Sequence, residues 1–97
     1  MNPLAENKFL TYKGKPLVRK GNTLYYGNMY DPYVVMLTIK STKQFQDMEI
    51  ADKVTIQLLN TDPTASPADM VKKKGEKVGL YPALDIGATW LERALAE

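Results

Sequence analysis

Cysteine and histidine are both absent from this 97-residue chain. Without cysteine there is no disulfide and no thiolate metal site. A reducing compartment is favoured, because secreted domains this small commonly carry such staples. Without histidine the chain lacks the commonest general base near neutral pH and the commonest metal ligand. Chemistry would have to rest on carboxylates, lysine, tyrosine and hydroxyls, which lowers the expectation of an enzyme. Long apolar runs are missing as well. The longest, Tyr33-Val34-Val35-Met36-Leu37, falls far short of the roughly 20 residues that a membrane-spanning helix needs. The opening Met1-Asn2-Pro3-Leu4-Ala5-Glu6-Asn7-Lys8 has no apolar stretch behind a basic start and does not read as a signal peptide. Together these absences lead to the expectation of a cytoplasmic protein.

What is present suffices for one core. Hydrophobic residues make up 44% of the chain and charged residues 25%, a globular balance rather than a disordered one. The expected organisation is a single domain over residues 1–97, with 1–8 as a flexible N-terminal arm.

The first two-thirds read as strands. Phe9-Leu10-Thr11-Tyr12 is broken by Lys13-Gly14-Lys15, and Leu17-Val18-Arg19-Lys20 follows Pro16. Gly21-Asn22 suits a two-residue hairpin turn before Thr23-Leu24-Tyr25-Tyr26. A longer turn over 27–32 leads to the strand from Tyr33 to Lys40, which alternates Val35, Leu37 and Ile39 with Val34, Met36 and Thr38. Val54, Ile56 and Leu58 alternate with Thr55, Gln57 and Leu59 in the clearest half-buried strand. Residues 45–52 fit a loop or the start of that strand equally well.

Beyond Asn60 the character changes. Ser66-Pro67-Ala68-Asp69 reads as a short helix start, with Ser66 as N-cap, and Lys72-Lys73-Lys74-Gly75 as its end. Pro82 opens a second helix running to about Ala96, with Asp85 in its first turn and one apolar stripe of Leu84, Ala88, Leu91 and Leu95. Gly87 and Ala88 are small enough to let that helix lie close to a sheet. The expected fold class is α+β: an antiparallel meander of about five strands, the C-terminal helix packed on one face and a short helix before it. A small, partly closed barrel plugged by the helix is the other arrangement that fits.

No catalytic, cofactor or metal motif emerges, so no catalytic, cofactor-binding or metal residue is named. Two surfaces stand out. From Lys8 to Tyr26 there are five cations and no acid, whereas the whole chain carries +2, leaving −3 for the rest. Lys13, Lys15, Arg19, Lys20 and Tyr25 are therefore candidates for contact with an anion or a single-stranded nucleic acid, cations meeting phosphates and aromatic faces meeting bases. The same lysines would also guard edge strands against unwanted pairing. Val34, Met36 and Leu59 place apolar groups on the sheet's second face and are candidates for self-association. Lys72-Lys73-Lys74 with Lys77 forms another basic cluster, readable as an acidic partner's dock or a solvated helix end. Asp47, Glu49 and Asp52 are close in sequence but lack the calcium-loop pattern. Gly75-Glu76-Lys77-Val78-Gly79 lacks the ending of a phosphate loop. Trp90 and Tyr81 fit a place in the core or its rim, a ligand pocket or a dimer seam.

The blocks Tyr12-Lys13-Gly14-Lys15-Pro16-Leu17-Val18-Arg19-Lys20, Tyr25-Tyr26-Gly27-Asn28 and Leu80-Tyr81-Pro82-Ala83-Leu84-Asp85-Ile86-Gly87 resemble a group of short, functionally uncharacterised bacterial proteins. The resemblance runs from about Phe9 to the end. It implies bacterial origin and no activity, and it assigns no residue a role.

The expected function is that of a small non-enzymatic interaction module, self-associating as a homodimer or serving another protein partner. Weak binding of single-stranded nucleic acid by the N-terminal hairpins is the second reading. An enzyme built on Asp47, Glu49 or a buried tyrosine is the third.

Overall fold

Short turns set the register of the first strands. The computed structural model describes residues 9–96, and the expected arm over 1–8 lies outside them. Strand β1 (Phe9–Tyr12) reaches β2 (Lys15–Lys20) through Lys13 and Gly14, whose φ values are 50° and 80°. Positive φ at both central residues is what a tight hairpin turn of this hand requires. Gly21-Asn22 then joins β2 to β3 (Thr23–Tyr26) as the spacing predicts, pairing Lys20 with Thr23. The chain continues through β4 (Tyr33–Ile39), β5 (Thr42–Phe45), β6 (Met48–Ala51), β7 (Lys53–Asn60), α1 (Pro67–Met70), β8 (Val71–Val78) and α2 (Leu80–Ala96).

Six strands form one antiparallel sheet in the order β1-β2-β3-β4-β7-β8, and α2 packs on it. The α+β meander with a C-terminal helix and a short helix before it is therefore the architecture. Residues 45–52 are neither loop nor a simple lead into β7. They belong to a separate two-stranded ladder, β5 with β6, which prolongs the β4–β7 hairpin beyond the sheet.

The sixth strand corrects the reading of Lys72-Lys73-Lys74-Gly75. These residues lie in β8, not at a helix end, and α1 stops at Met70 after four residues. Ser66 stands at the N-cap, yet its hydroxyl donates to Asp69 Oδ2 at 2.9 Å rather than capping a backbone amide. The physical reason is the free side of β7. A central apolar strand left unpaired there would bury backbone groups without partners, and the next extended stretch of chain satisfies them.

Side chains from alternate positions of the strands meet α2. Leu24, Tyr26, Val35, Leu37, Val54, Ile56 and Leu58 pack with Leu84, Ala88 and Leu91 in one buried cluster, and Leu95 is half-buried at its margin. The predicted stripe is thus the docking face, with Ala83, Gly87 and Ala94 buried beside it. The helix begins two residues earlier than the sequence suggested. Pro82 sits in the first turn, where its missing N–H costs nothing, and Asp85 falls in the second. A Cβ built on Gly87 would stand 2.9 Å from Val35 Cγ1 and 3.4 Å from Ile56 Cγ2. Glycine here lets the backbone of α2 touch the sheet.

Both edges of the sheet reach this helix. Tyr12 of β1 bonds Asp85, and Lys73 of β8 lies 4.9 Å from the Trp90 ring centre. Strands spaced about 4.8 Å apart would put the edges of a flat sheet of this width roughly 24 Å apart, twice the width of a helix. The sheet therefore curls around α2.

Leu91 has no exposed surface and sits at the centre of the stripe. Leu91→Ala is expected to cost about 2–5 kcal/mol. Exposed Glu92, one residue on, should change stability by less than about 0.5 kcal/mol as alanine. Urea melts compare the two. Gly87→Ala gains helix propensity of about 1 kcal/mol, but the stiff valine it meets cannot swing away. A net loss of about 1–2 kcal/mol from overpacking is expected in the same assay.

Candidate functional site

Opposite α2 the sheet has a second face, and the register fixes what stands on it. Cross-strand partners share a face. One row across the sheet runs Val18, Tyr25, Met36, Gln57, Lys74. The row on one side runs Lys20, Thr23, Thr38, Thr55, Glu76. On the other side lie Val34, Leu59 and Val71. The structure thus brings Val34, Met36 and Leu59 together, as the alternation implied, and adds Val18, Tyr25 and Val71 to them.

Burial on this face is uneven. Val34 and Thr55 are buried, Val18, Met36 and Leu59 are half-buried, and Tyr25 and Val71 stay 41% and 37% exposed. Small groups lie low between taller neighbours. The tall ones, Tyr25, Met36, Leu59 and Val71, form an apolar surface with charge at its flanks and at the end where Lys40 and Lys53 stand.

The basic N-terminal candidates are divided between surfaces. Lys20 and Tyr25 stand on the uncovered face, whereas Lys15 and Arg19 pair with Tyr12 and Leu24 on the face that α2 covers. Lys13 lies in the turn and bonds Asp85. Of the nearby tyrosines, Tyr25 and Tyr30 stay exposed, whereas Tyr12 and Tyr26 are engaged with each other. Tyr26 is buried, its ring edge-to-face with Tyr12 at 5.9 Å, and its hydroxyl donates 2.6 Å to the Tyr12 carbonyl. Burial pushes the Tyr26 phenol above its ordinary value.

The second basic cluster is divided too, by the alternation of the strand and by a register irregularity at Lys72, between the pairs of Leu58 with Lys73 and Leu59 with Val71. Lys72 lies 5.0 Å from the centre of the Tyr33 ring and Lys73 lies over Trp90, while Lys74 stands on the uncovered face. Trp90 packs against Gly75, whereas Tyr81 is 78% exposed, so the two do not share a pocket. Asp47 lies at the tip of the β5–β6 arm, Glu49 pairs with Gln44, and Asp52 forms an ion pair with Lys43 at 3.8 Å. No group of acids able to hold a metal ion occurs among the described residues. A recess of about 570 Å³ opens between the arm and the start of α2, lined by Ile39, Ile50, Leu80 and Tyr81, with Arg19 at its rim.

One polar contact was beyond sequence reasoning. Asp85 Oδ1 accepts from Tyr12 Oη at 2.8 Å and Lys13 Nζ at 3.1 Å, tying an edge strand to the helix 72 residues further on. The hydrogen bond from Tyr12, then that from Lys13 and its charge, hold the Asp85 carboxyl below its ordinary value. The bond to Asp85 raises both Tyr12 and Lys13. Nothing in the local sequence marks this trio, because its members are remote in the chain.

No family model, curated protein or solved structure matches the chain. No helix among the described residues is long and apolar enough to cross a membrane. Function therefore has to be argued from the surfaces themselves.

The Asp85 latch predicts a pH dependence. A carboxyl whose folded pKa is depressed adds stability above its unfolded pKa and loses it as pH falls through the folded value. Wild type should resist urea better than Asp85→Asn at neutral pH. The gap should close below about pH 4, the ordinary carboxylate range. It should narrow again above about pH 10, where the raised lysine and tyrosine lose their protons. Melts across this range check both limbs.

Proposed function

We propose that the protein is a non-enzymatic interaction module that works as a weak homodimer, joined through the uncovered face of its sheet. The observation that carries this reading is the apolar patch on that face, with Val18, Tyr25 and Met36 in one row and Val34, Leu59 and Val71 in the next. Sheets with one covered face usually alternate apolar inside with polar outside. This sheet departs from that rule along β4, where Val34 and Met36 face outward with Leu59 and Tyr25 opposite them on the neighbouring strands.

Size supports a dimer and limits its strength. Five strands about 4.8 Å apart and three rows of side chains span roughly 24 by 20 Å. Laid flat, two such faces would bury at most about 1,000 Å² in total, the threshold of specific interfaces. Curvature of the sheet around α2 makes the uncovered face convex, which keeps the contact near β4. Division of Lys13, Lys15, Arg19 and Lys20 between two faces gives nucleic-acid binding less support than a protein partner.

Sedimentation velocity tests the reading over about 10 µM to 1 mM, where an interface this small should populate both states. The mass is expected to rise from 10.9 kDa towards twice that value. Met36→Glu should hold it at the monomer value with the thermal midpoint little changed, since Met36 points away from the core. A wild-type mass that stays monomeric across the range rejects the proposal.

A further inference from the structure

The self-association proposed above has a geometry that the register of the sheet selects, and we infer that two copies face each other across a two-fold axis running along β4. Among in-plane axes, those that keep the strands of the two sheets aligned, as packed sheets commonly are, run along the strands or across them. The axis across the strands would lay the row of Lys20 and Glu76 over the partner's row of Val34, Leu59 and Val71. That would desolvate charges against apolar groups, which is unfavourable. The axis along β4 lays each row on its own counterpart.

Strand order then determines every partner. Taking β4 as the centre, β3 and β2 lie one and two strands to one side, β7 and β8 one and two strands to the other. The rotation therefore places β2 over the partner's β8. Lys20 of one copy comes opposite Glu76 of the other, and the symmetry makes this contact twice. Met36 meets its own counterpart at the centre, and Tyr25 meets Gln57. Val18 faces the aliphatic stem of Lys74, whose ammonium can reach water at the flank.

The shape of the face fits this arrangement. Contact between convex sheets is closest at β4, where the central row carries Met36. The gap widens outward, and at its flanks stand two exposed residues with long side chains of opposite charge. Lys20 and Glu76 form no ion pair within one copy, and neither is engaged by another charged group among the described residues. Lys40, past the end of β4, lies at the rim, where its flexible chain turns to solvent. Sheets packed in this way keep their strands within about 30° of each other.

Reciprocal charge reversal tests the geometry. Lys20→Glu and Glu76→Lys should each weaken the dimer at least about tenfold, because each sets like charges opposite at two places. Combining them should restore the wild-type dissociation constant to within about threefold, the pairs being re-formed with signs exchanged. Four strand spacings, roughly 19 Å, separate the two residues within one copy. Rescue therefore cannot arise inside a monomer. Sedimentation of the four proteins at low salt reads the result, with thermal melts confirming that each is folded. A wild type that dimerises and is broken by Met36→Glu, but shows no rescue in the double variant, overturns this axis and leaves the dimer. A wild type that never dimerises overturns both.

Discussion

The closeness of α2 to β4 and β7 governs the rest of the molecule. Gly87 brings the helix backbone into contact with Val35 and Ile56, and Leu84, Ala88 and Leu91 fill the space along it. Because the helix lies so low, the sheet can curl until both of its edges touch it. Tyr12 comes in from one side and Lys73 from the other. A bulkier residue at position 87 would lift the helix and flatten that curl. The convexity of the uncovered face, which makes any contact closest at β4, is helped by one missing side chain.

Polar contacts refine this arrangement more than they create it. The Tyr12–Lys13–Asp85 latch is exposed, and exposed ion pairs contribute little on their own. Its place gives it meaning. It fastens β1, an edge strand of four residues, to an element that follows every strand in the chain. The opposite edge, β8, is longer and carries four lysines. These discourage pairing with another sheet edge, which leaves the broad face as the natural place for a second copy.

Strands β4 and β7 and helix α2 were legible in the sequence because their periodicity is strong. Val35, Leu37 and Ile39 alternate without interruption, and Leu84, Ala88 and Leu91 recur at helical spacing. The same alternation exposed Val34, Met36 and Leu59 as occupants of a second face. β8 was not legible, since Lys72-Lys73-Lys74-Gly75 matches a helix end by local chemistry, and only the free side of β7 makes it a strand. The start of α2 was misplaced because proline marked position 82 more strongly than anything marked Leu80. The latch could not be read at all, its partners lying 72 and 73 residues apart. Patterns set by burial show in sequence, whereas pairings made by topology do not.

Chain order has a bearing on synthesis. Every strand precedes α2, so the apolar face of the sheet is complete before its cover exists. At roughly 5–20 residues per second, the seventeen residues of α2 take on the order of one to three seconds to follow. During that interval a nascent chain would display two apolar faces rather than one. The interval is long compared with hairpin formation, which takes about microseconds. A nascent chain whose β8 has emerged while α2 is still enclosed by the ribosome would hold a finished sheet with nothing to close it, a state suited to capture by a chaperone.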